Sequence, residues 1–246
     1  MLGKLEFLLR TIAGGLWFVG ATTYGLALCA LRPGHANTPH KYARALGPGM
    51  QWAMRMRVKL DGHPITAADQ PCIFLPMHQS NFDIVLYGSM YPANTIVIGK
   101  REVAKMPLFG WFFKNSGNVL IDRTDRKAAI AGLDAAVQAM ARDGKSIWMF
   151  PEGTRNQTGG ELLQFKKGPF HMAIAAQRPL VPVVATSYRP ILGQIARRDP
   201  RGGAMRVRVL PPILTAGMTA QDVDALMAQT WQVMEAARLA LAAEAG

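Results

Sequence analysis

The chain has 246 residues, half of them hydrophobic, and carries 28 Lys and Arg against 16 Asp and Glu, a formal charge of +12. That length and apolar content give one large domain, or one domain with an appendage, and exclude extensive disorder. The charge calls for an anionic partner, whether nucleic acid, a lipid surface or an acidic substrate or carrier, while two cysteines, Cys29 and Cys72, are too few for a disulfide framework or a Cys-ligated metal site.

From Thr11 to Leu31 the chain runs 21 residues without a charge, between Lys4 and Arg10 on one side and Arg32 on the other. That is long enough to cross a bilayer. Four readings compete: a spanning helix, one arm of a helical hairpin in a single leaflet, a buried core helix and a cleaved signal peptide. The last fits worst, because the run exceeds an ordinary signal core and Leu28 before Cys29 is a poor processing site. The next stretch, residues 37–60, interleaves Lys41, Arg44, Arg55, Arg57 and Lys59 with Leu46, Met50, Trp52, Met54 and Met56, a pattern suited to lipid headgroups. Gly47, Pro48 and Gly49 are expected to break or kink it. Residues 1–60 hold eight Lys and Arg and a single Glu, so much of the charge belongs to a membrane-associating helical segment, with a second unit from 61 to 246.

Beyond residue 60, short apolar runs alternate with amphipathic stretches. Strands are expected at 72–76, 95–98, 117–121, 146–150, 180–185 and 205–210, and helices at about 82–91, 102–115, 125–142, 168–177 and 219–243. This alternation predicts an α/β fold, a mostly parallel sheet covered by helices. In such a sheet the strand C-termini open on one edge and polar functional residues gather there. Four strands in succession deliver them: His78 and Asp83, then Lys100, then Asp122 and Arg123, then Glu152, Thr154 and Arg155.

In "HQSNFD", residues 78–83, a turn at the start of a helix can return the Asp83 carboxylate to the His78 imidazole, fixing its tautomer and stabilising the imidazolium. The base would act on a serine or on a hydroxyl of the substrate. The plain alternative is that Asp83 accepts backbone amides at a helix N-terminus. A metal is the weaker reading, since no second cluster of ligands accompanies the pair. "FPEGTRNQTG", residues 150–159, forms a tight polar loop whose amides and guanidinium suit an anion, or else a simple surface turn. Its spacing is not that of a Walker loop.

Taken together, "HQSNFD", "GKREVAKMPLFGWFFKNSGNVLIDR" (99–123), "FPEGTR" (150–155) and "LVPVVATS" (180–187) resemble the four ordered blocks of the glycerolipid acyltransferases, closest to the 1-acyl-sn-glycerol-3-phosphate acyltransferases. The blocks cover about residues 72–190, and the N-terminal segment is similar to that family's membrane-binding helices. The resemblance implies that His78 is the general base on the free hydroxyl of a lysophospholipid and that Asp83 orients it. The acyl donor would be a thioester of coenzyme A or acyl carrier protein, and the product phosphatidic acid. Lys100 and Arg155 match positions that hold the acceptor phosphate, Arg123 would be a third cation there, and Glu152, Gly153 and Thr154 would shape the acceptor pocket. The block around Pro182 serves the donor or packs as a buried strand. One residue departs from the pattern: many members carry Asn before the histidine, where this chain has Met77.

Other acceptors, a lyso-ornithine lipid or glycerol 3-phosphate, would use the same chemistry, and a non-catalytic basic lipid-binding protein is the reading of a different class. Nucleic acid is disfavoured as a partner, because no reader helix or aromatic platform accompanies the charge. No cofactor and no metal are expected, since the thioester is already activated. The basic flanks suggest attachment to the cell membrane with the catalytic unit on the cytoplasmic side. In "MPLFGWFF", residues 106–113, Leu108, Phe109, Trp111, Phe112 and Phe113 cannot all face one way on a helix, so part of the segment is expected to reach lipid or an acyl channel.

Overall fold

A run of β-branched and aromatic residues too apolar for either face to meet water becomes a central strand. Ile73, Phe74, Leu75 and Pro76 are such a run, and all four are buried. In the computed structural model, which describes residues 2–122, 125–156, 160–189, 191 and 203–244, they form β2 (Ile73–Pro76). The other strands are β1 (Met56–Gly62), β3 (Thr95–Lys100), β4 (Val119–Ile121), β5 (Ser146–Trp148), β6 (Leu180–Ala185) and β7 (Gly203–Val209). They make one seven-stranded sheet in the order β1-β7-β6-β2-β5-β3-β4. Every neighbouring pair is parallel except β6 with β7.

Alternation along β2 divides the core into two layers. Ile73 and Leu75 pack with Ile96, Ile147, Phe170 and Met234 on one face. Phe74 packs with Trp148, Leu86, Val183 and Val207 on the other. The first layer is covered by α5 (Arg126–Asp143), α6 (Gly168–Ala176) and α7 (Val223–Ala243). Helix α5 starts where the Asp125 carboxylate accepts the Lys127 and Ala128 amides, and stops at Gly144, whose φ of 61° ends the right-handed helix. Every residue of β6 is buried, Pro182 among them, which matches the packing reading of that block.

Helices α1 (Leu2–Leu31) and α2 (Thr38–Ala53) form an antiparallel hairpin. At 1.5 Å per residue α1 is about 45 Å long. Trp17 donates to the Ala45 carbonyl at 3.0 Å, and Tyr42 packs at a tilt against Phe112 of α4 (Phe109–Asn115) with ring centroids 4.0 Å apart. Pro48 does not interrupt α2, contrary to expectation. The glycines beside it serve close approach instead: a Cβ at Gly49 would lie 2.0 Å from the Trp17 ring, and one at Gly47 would lie 3.0 Å from the backbone of Gly88. Gly88 belongs to α3 (Asp83–Gly88), so α2 rests directly on the helix that begins at Asp83. A Cβ at Gly88 would meet the Ala43 carbonyl oxygen at 2.8 Å. Gly88→Ala should therefore cost about 1–3 kcal/mol through overpacking, read as a lower Tm in thermal denaturation; an unchanged Tm would mean that the two helices separate freely.

Two expectations are corrected. Residues 56–60 were read as headgroup-facing, yet they belong to β1, because Met56, Val58 and Leu60 alternating with Arg57 and Lys59 also satisfy a strand once β7 lies alongside. The helix expected at 102–115 is divided: a 3-10 turn at Arg101–Lys105 is followed by Leu108 at φ 58°, and α4 begins only at Phe109. In α4, Phe112 and Phe113 are buried whereas Trp111 is 64% exposed.

Candidate active site

The C-terminal ends of β2, β5, β3 and β4 open on one edge of the sheet, as their parallel pairing requires. After β2 the chain leaves the core at Met77, which is fully buried in the first layer and whose carbonyl accepts the Tyr87 hydroxyl at 3.0 Å. The apolar Met77 side chain thus fills the core. His78 follows and turns its ring toward the rim.

Asp83 opens α3 and its carboxylate returns to His78. Its Oδ2 lies 2.6 Å from His78 Nδ1 and also accepts the Gln79 and Ser80 amides at 3.0 and 3.3 Å. Both readings of this aspartate therefore hold at once: one oxygen caps the turn and fixes the imidazole. With Nδ1–H donated to the carboxylate, Nε2 carries the lone pair of the neutral ring. Burial pushes the Asp83 carboxyl above the ordinary carboxylate value, while the His78 ring and the two amides pull the other way. Burial, and after it the Asp83 charge, drives the phenols of Tyr87 and Tyr188 well above their usual range. They stay neutral beside the carboxylate.

The loop after β5 grips the imidazole. Phe150 stacks on the His78 ring, centroids 3.9 Å apart and planes 19° from parallel. Glu152 Oε1 accepts the His78 amide at 2.7 Å, and the Asn156 amide donates to the His78 carbonyl at 2.7 Å. Glu152 is 1% exposed, and burial lifts its carboxyl to about 7. Gly153 takes a φ of 68° at the turn. Thr154 and Arg155 are exposed, and Arg155 Nη1 donates to Asn81 Oδ1 at 2.6 Å, linking this loop to the His78–Asp83 segment.

Among the other cations, Lys100 ends β3 and meets Glu102 at 2.9 Å, while Arg101 meets Asp122 at 3.0 Å. Arg123 lies outside the described residues. Phe150, Asn81 and Gln79 were not singled out from the sequence. Gln79 ties the His78–Asp83 turn to β6 by donating to the Ala185 and Thr186 carbonyls at 3.4 and 3.1 Å. Nothing in these residue types announces such contacts, apart from the position of Asn81 and Gln79 between His78 and Asp83. Among the described residues no group of three His, Cys, Asp or Glu side chains is placed to hold a metal ion.

This geometry suits one proton transfer at an open rim: a lone pair on Nε2 with a buried carboxylate behind it. Comparison with known proteins identifies the family. A family model described as Acyltransferase matches residues 57–186. Over 210 residues the chain is 33% identical to 1-acyl-sn-glycerol-3-phosphate acyltransferase alpha of Mus musculus, covering 85% of this chain and 73% of that one. A Caenorhabditis elegans protein whose name carries the same activity is 38% identical over 178 residues, 72% of this chain, and this chain spans 62% of its length. The crystal structure of a 1-acyl-sn-glycerophosphate acyltransferase from Thermotoga maritima superposes with a TM-score of 0.71 at 21% identity, covering 97% and 95% of the two chains. That likeness concerns the fold.

Proposed function

The chain belongs to the acyltransferase family, and from that premise we propose that it moves an acyl group from a thioester, acyl-CoA or acyl-ACP, to the free hydroxyl of 1-acyl-sn-glycerol 3-phosphate, giving phosphatidic acid. The observation that carries this reading is the 2.6 Å contact between His78 Nδ1 and Asp83 Oδ2 at the open edge of the sheet. His78 Nε2 takes the proton of the acceptor hydroxyl as its oxygen attacks the thioester carbonyl, and the Asp83 carboxylate stabilises the imidazolium. The tetrahedral adduct collapses with loss of the thiolate, which regains a proton from the imidazolium. Ester formed and thioester broken balance, and the activated acyl group calls for no cofactor.

Arg155 and Lys100 would hold the acceptor phosphate, and Asn81 fixes the Arg155 guanidinium. Arg155→Ala should raise the acceptor KM about tenfold with a smaller change in kcat, the loss of one charge-assisted contact. Steady-state kinetics at varied lysophosphatidate check this, and an unchanged KM removes the phosphate role.

We place the hairpin of α1 and α2 in the membrane and the unit from β1 onward at its surface. Lys4–Leu31 is long and apolar enough to span, but α1 is packed along α2, and α2 rests on α3, which carries Asp83. A hairpin lying in one leaflet keeps His40, Lys41 and Arg44 at the headgroups. Leu5, Leu8, Leu9, Ile12 and Leu16 are each more than half exposed and would face the acyl chains. The basic residues favour the cytoplasmic leaflet. The deciding experiment is thiol release from acyl-CoA and from acyl-ACP, with and without lysophosphatidate. Release that needs acceptor establishes the reaction and names the donor; none with either donor overturns the assignment.

A further inference from the structure

A cavity of about 410 Å³ lies between α1 and α2, well away from the sheet's interior. Its size falls within the about 300–1,000 Å³ of small-molecule sites. Phe7, Phe18 and Met54 form apolar walls. Phe82 also lines it, and the next residue, Asp83, orients the base. On its outer side α1 presents the exposed stripe of Leu5, Leu8, Ile12 and Leu16. The rim carries Arg10 and Arg55, both joined to Glu6, and Arg10 lies over the exposed Trp52 ring at 4.9 Å.

An apolar cavity that begins beside a lipid-facing helix and ends beside the catalytic turn suits a hydrocarbon chain attached to the reacting molecule. Arg55 Nε adds a polar requirement: it is buried and has no hydrogen-bond partner in the protein. A buried donor left unmatched is costly, and the ester oxygens of a glycerolipid are acceptors of the right kind.

We propose that this cavity receives the existing acyl chain of the lysophospholipid acceptor, drawn sideways from the membrane between α1 and α2, with Phe82 as the wall nearest the reacting hydroxyl. The inference rests on the acceptor being a lysolipid, as argued above. It differs from the phosphate contacts at Lys100 and Arg155, and it gives the hairpin a part in substrate selection besides attachment.

Gly15 supplies the test. It lines the cavity, and a Cβ built there meets nothing within 4 Å. Gly15 is exposed, so Gly15→Leu should narrow the open side of the cavity, with better helix propensity. Gly20, on the same helix and equally open, is the control. KM is measured for octanoyl and palmitoyl lysophosphatidate, together with the Kd of palmitoyl lysophosphatidate in vesicles. Excluding two or so methylenes from the cavity should raise the palmitoyl KM and Kd about tenfold. The octanoyl value should rise much less, and Gly20→Leu should keep the native chain-length profile.

Equal effects on both chain lengths, or no effect of Gly15→Leu, would overturn the proposal. So would weaker vesicle binding with an unchanged profile, because the cavity would then hold a bulk membrane lipid. If the native protein bound lysophosphatidate but did not acylate it, the assignment of function would fail, and the Gly15→Leu Kd would still decide who occupies the cavity.

Discussion

His78→Ala should lower acceptor-dependent thiol release by about 10²–10⁴-fold, the span that general-base catalysis contributes. The imidazole is the only group whose lone pair stands at the rim with a carboxylate 2.6 Å behind it among the described residues. Its loss leaves a hydroxyl of high pKa to attack unaided. The variant also leaves Asp83 buried without the ring N–H that it accepts, so destabilisation has to be separated from chemistry. Asp83→Asn does that. The amide can still accept the Gln79 and Ser80 amides that hold the turn, but it cannot stabilise an imidazolium as a carboxylate does. It should retain the fold by circular dichroism and lose turnover nearly as severely. Normal activity in either variant would end the assignment of His78 as base.

The second large effect is expected at Glu152. Its carboxylate accepts the His78 amide at 2.7 Å from a buried position, which makes it a positioning residue for the base. Glu152→Ala leaves that amide without a partner and opens a void at a buried position. A cost of about 1–3 kcal/mol is expected for the unmatched amide alone. Activity should fall as the imidazole drifts from its place, and kcat should fall more than KM rises, because the side chain does not reach the rim.

Glu152→Gln separates shape from charge. Burial raises the Glu152 carboxyl from 4.5 to about 7, so the folded state holds its proton over a range where the unfolded chain has released it. Stability from this group is present below about pH 4.5 and is lost as pH rises toward 7. The full loss is on the order of 3 kcal/mol at 1.36 kcal/mol per unit. Glutamine keeps the acceptor oxygen and has no charge to bury. Its Tm relative to the native protein should therefore be higher at pH 8 than at pH 5. A difference that does not change with pH would show that Glu152 ionises freely, with water reaching it.

The sequence by itself determined the class of fold, the succession of β2 to β7 along the chain and the turn that joins His78 to Asp83. Buried strands such as Ile73–Pro76 and Leu180–Ala185 need unbroken apolar runs, and His78 with Asp83 needs only a local turn, so both are written in neighbouring residues. The tertiary structure decided what depends on residues far apart in the chain. The alternation in Met56–Gly62 satisfies a membrane surface and a strand equally, and only its pairing with Gly203–Val209, remote in sequence, chose the strand. Gly47, Pro48 and Gly49 looked like a break because glycine and proline weaken helices. Here close packing on Trp17 and Gly88 stabilises the helix enough to override that local preference. Glu152 looked like a rim residue because it follows a strand; its inward turn onto the His78 amide joins positions 74 residues apart. Local pattern records which faces are apolar, whereas the partner each face meets depends on how the whole chain closes.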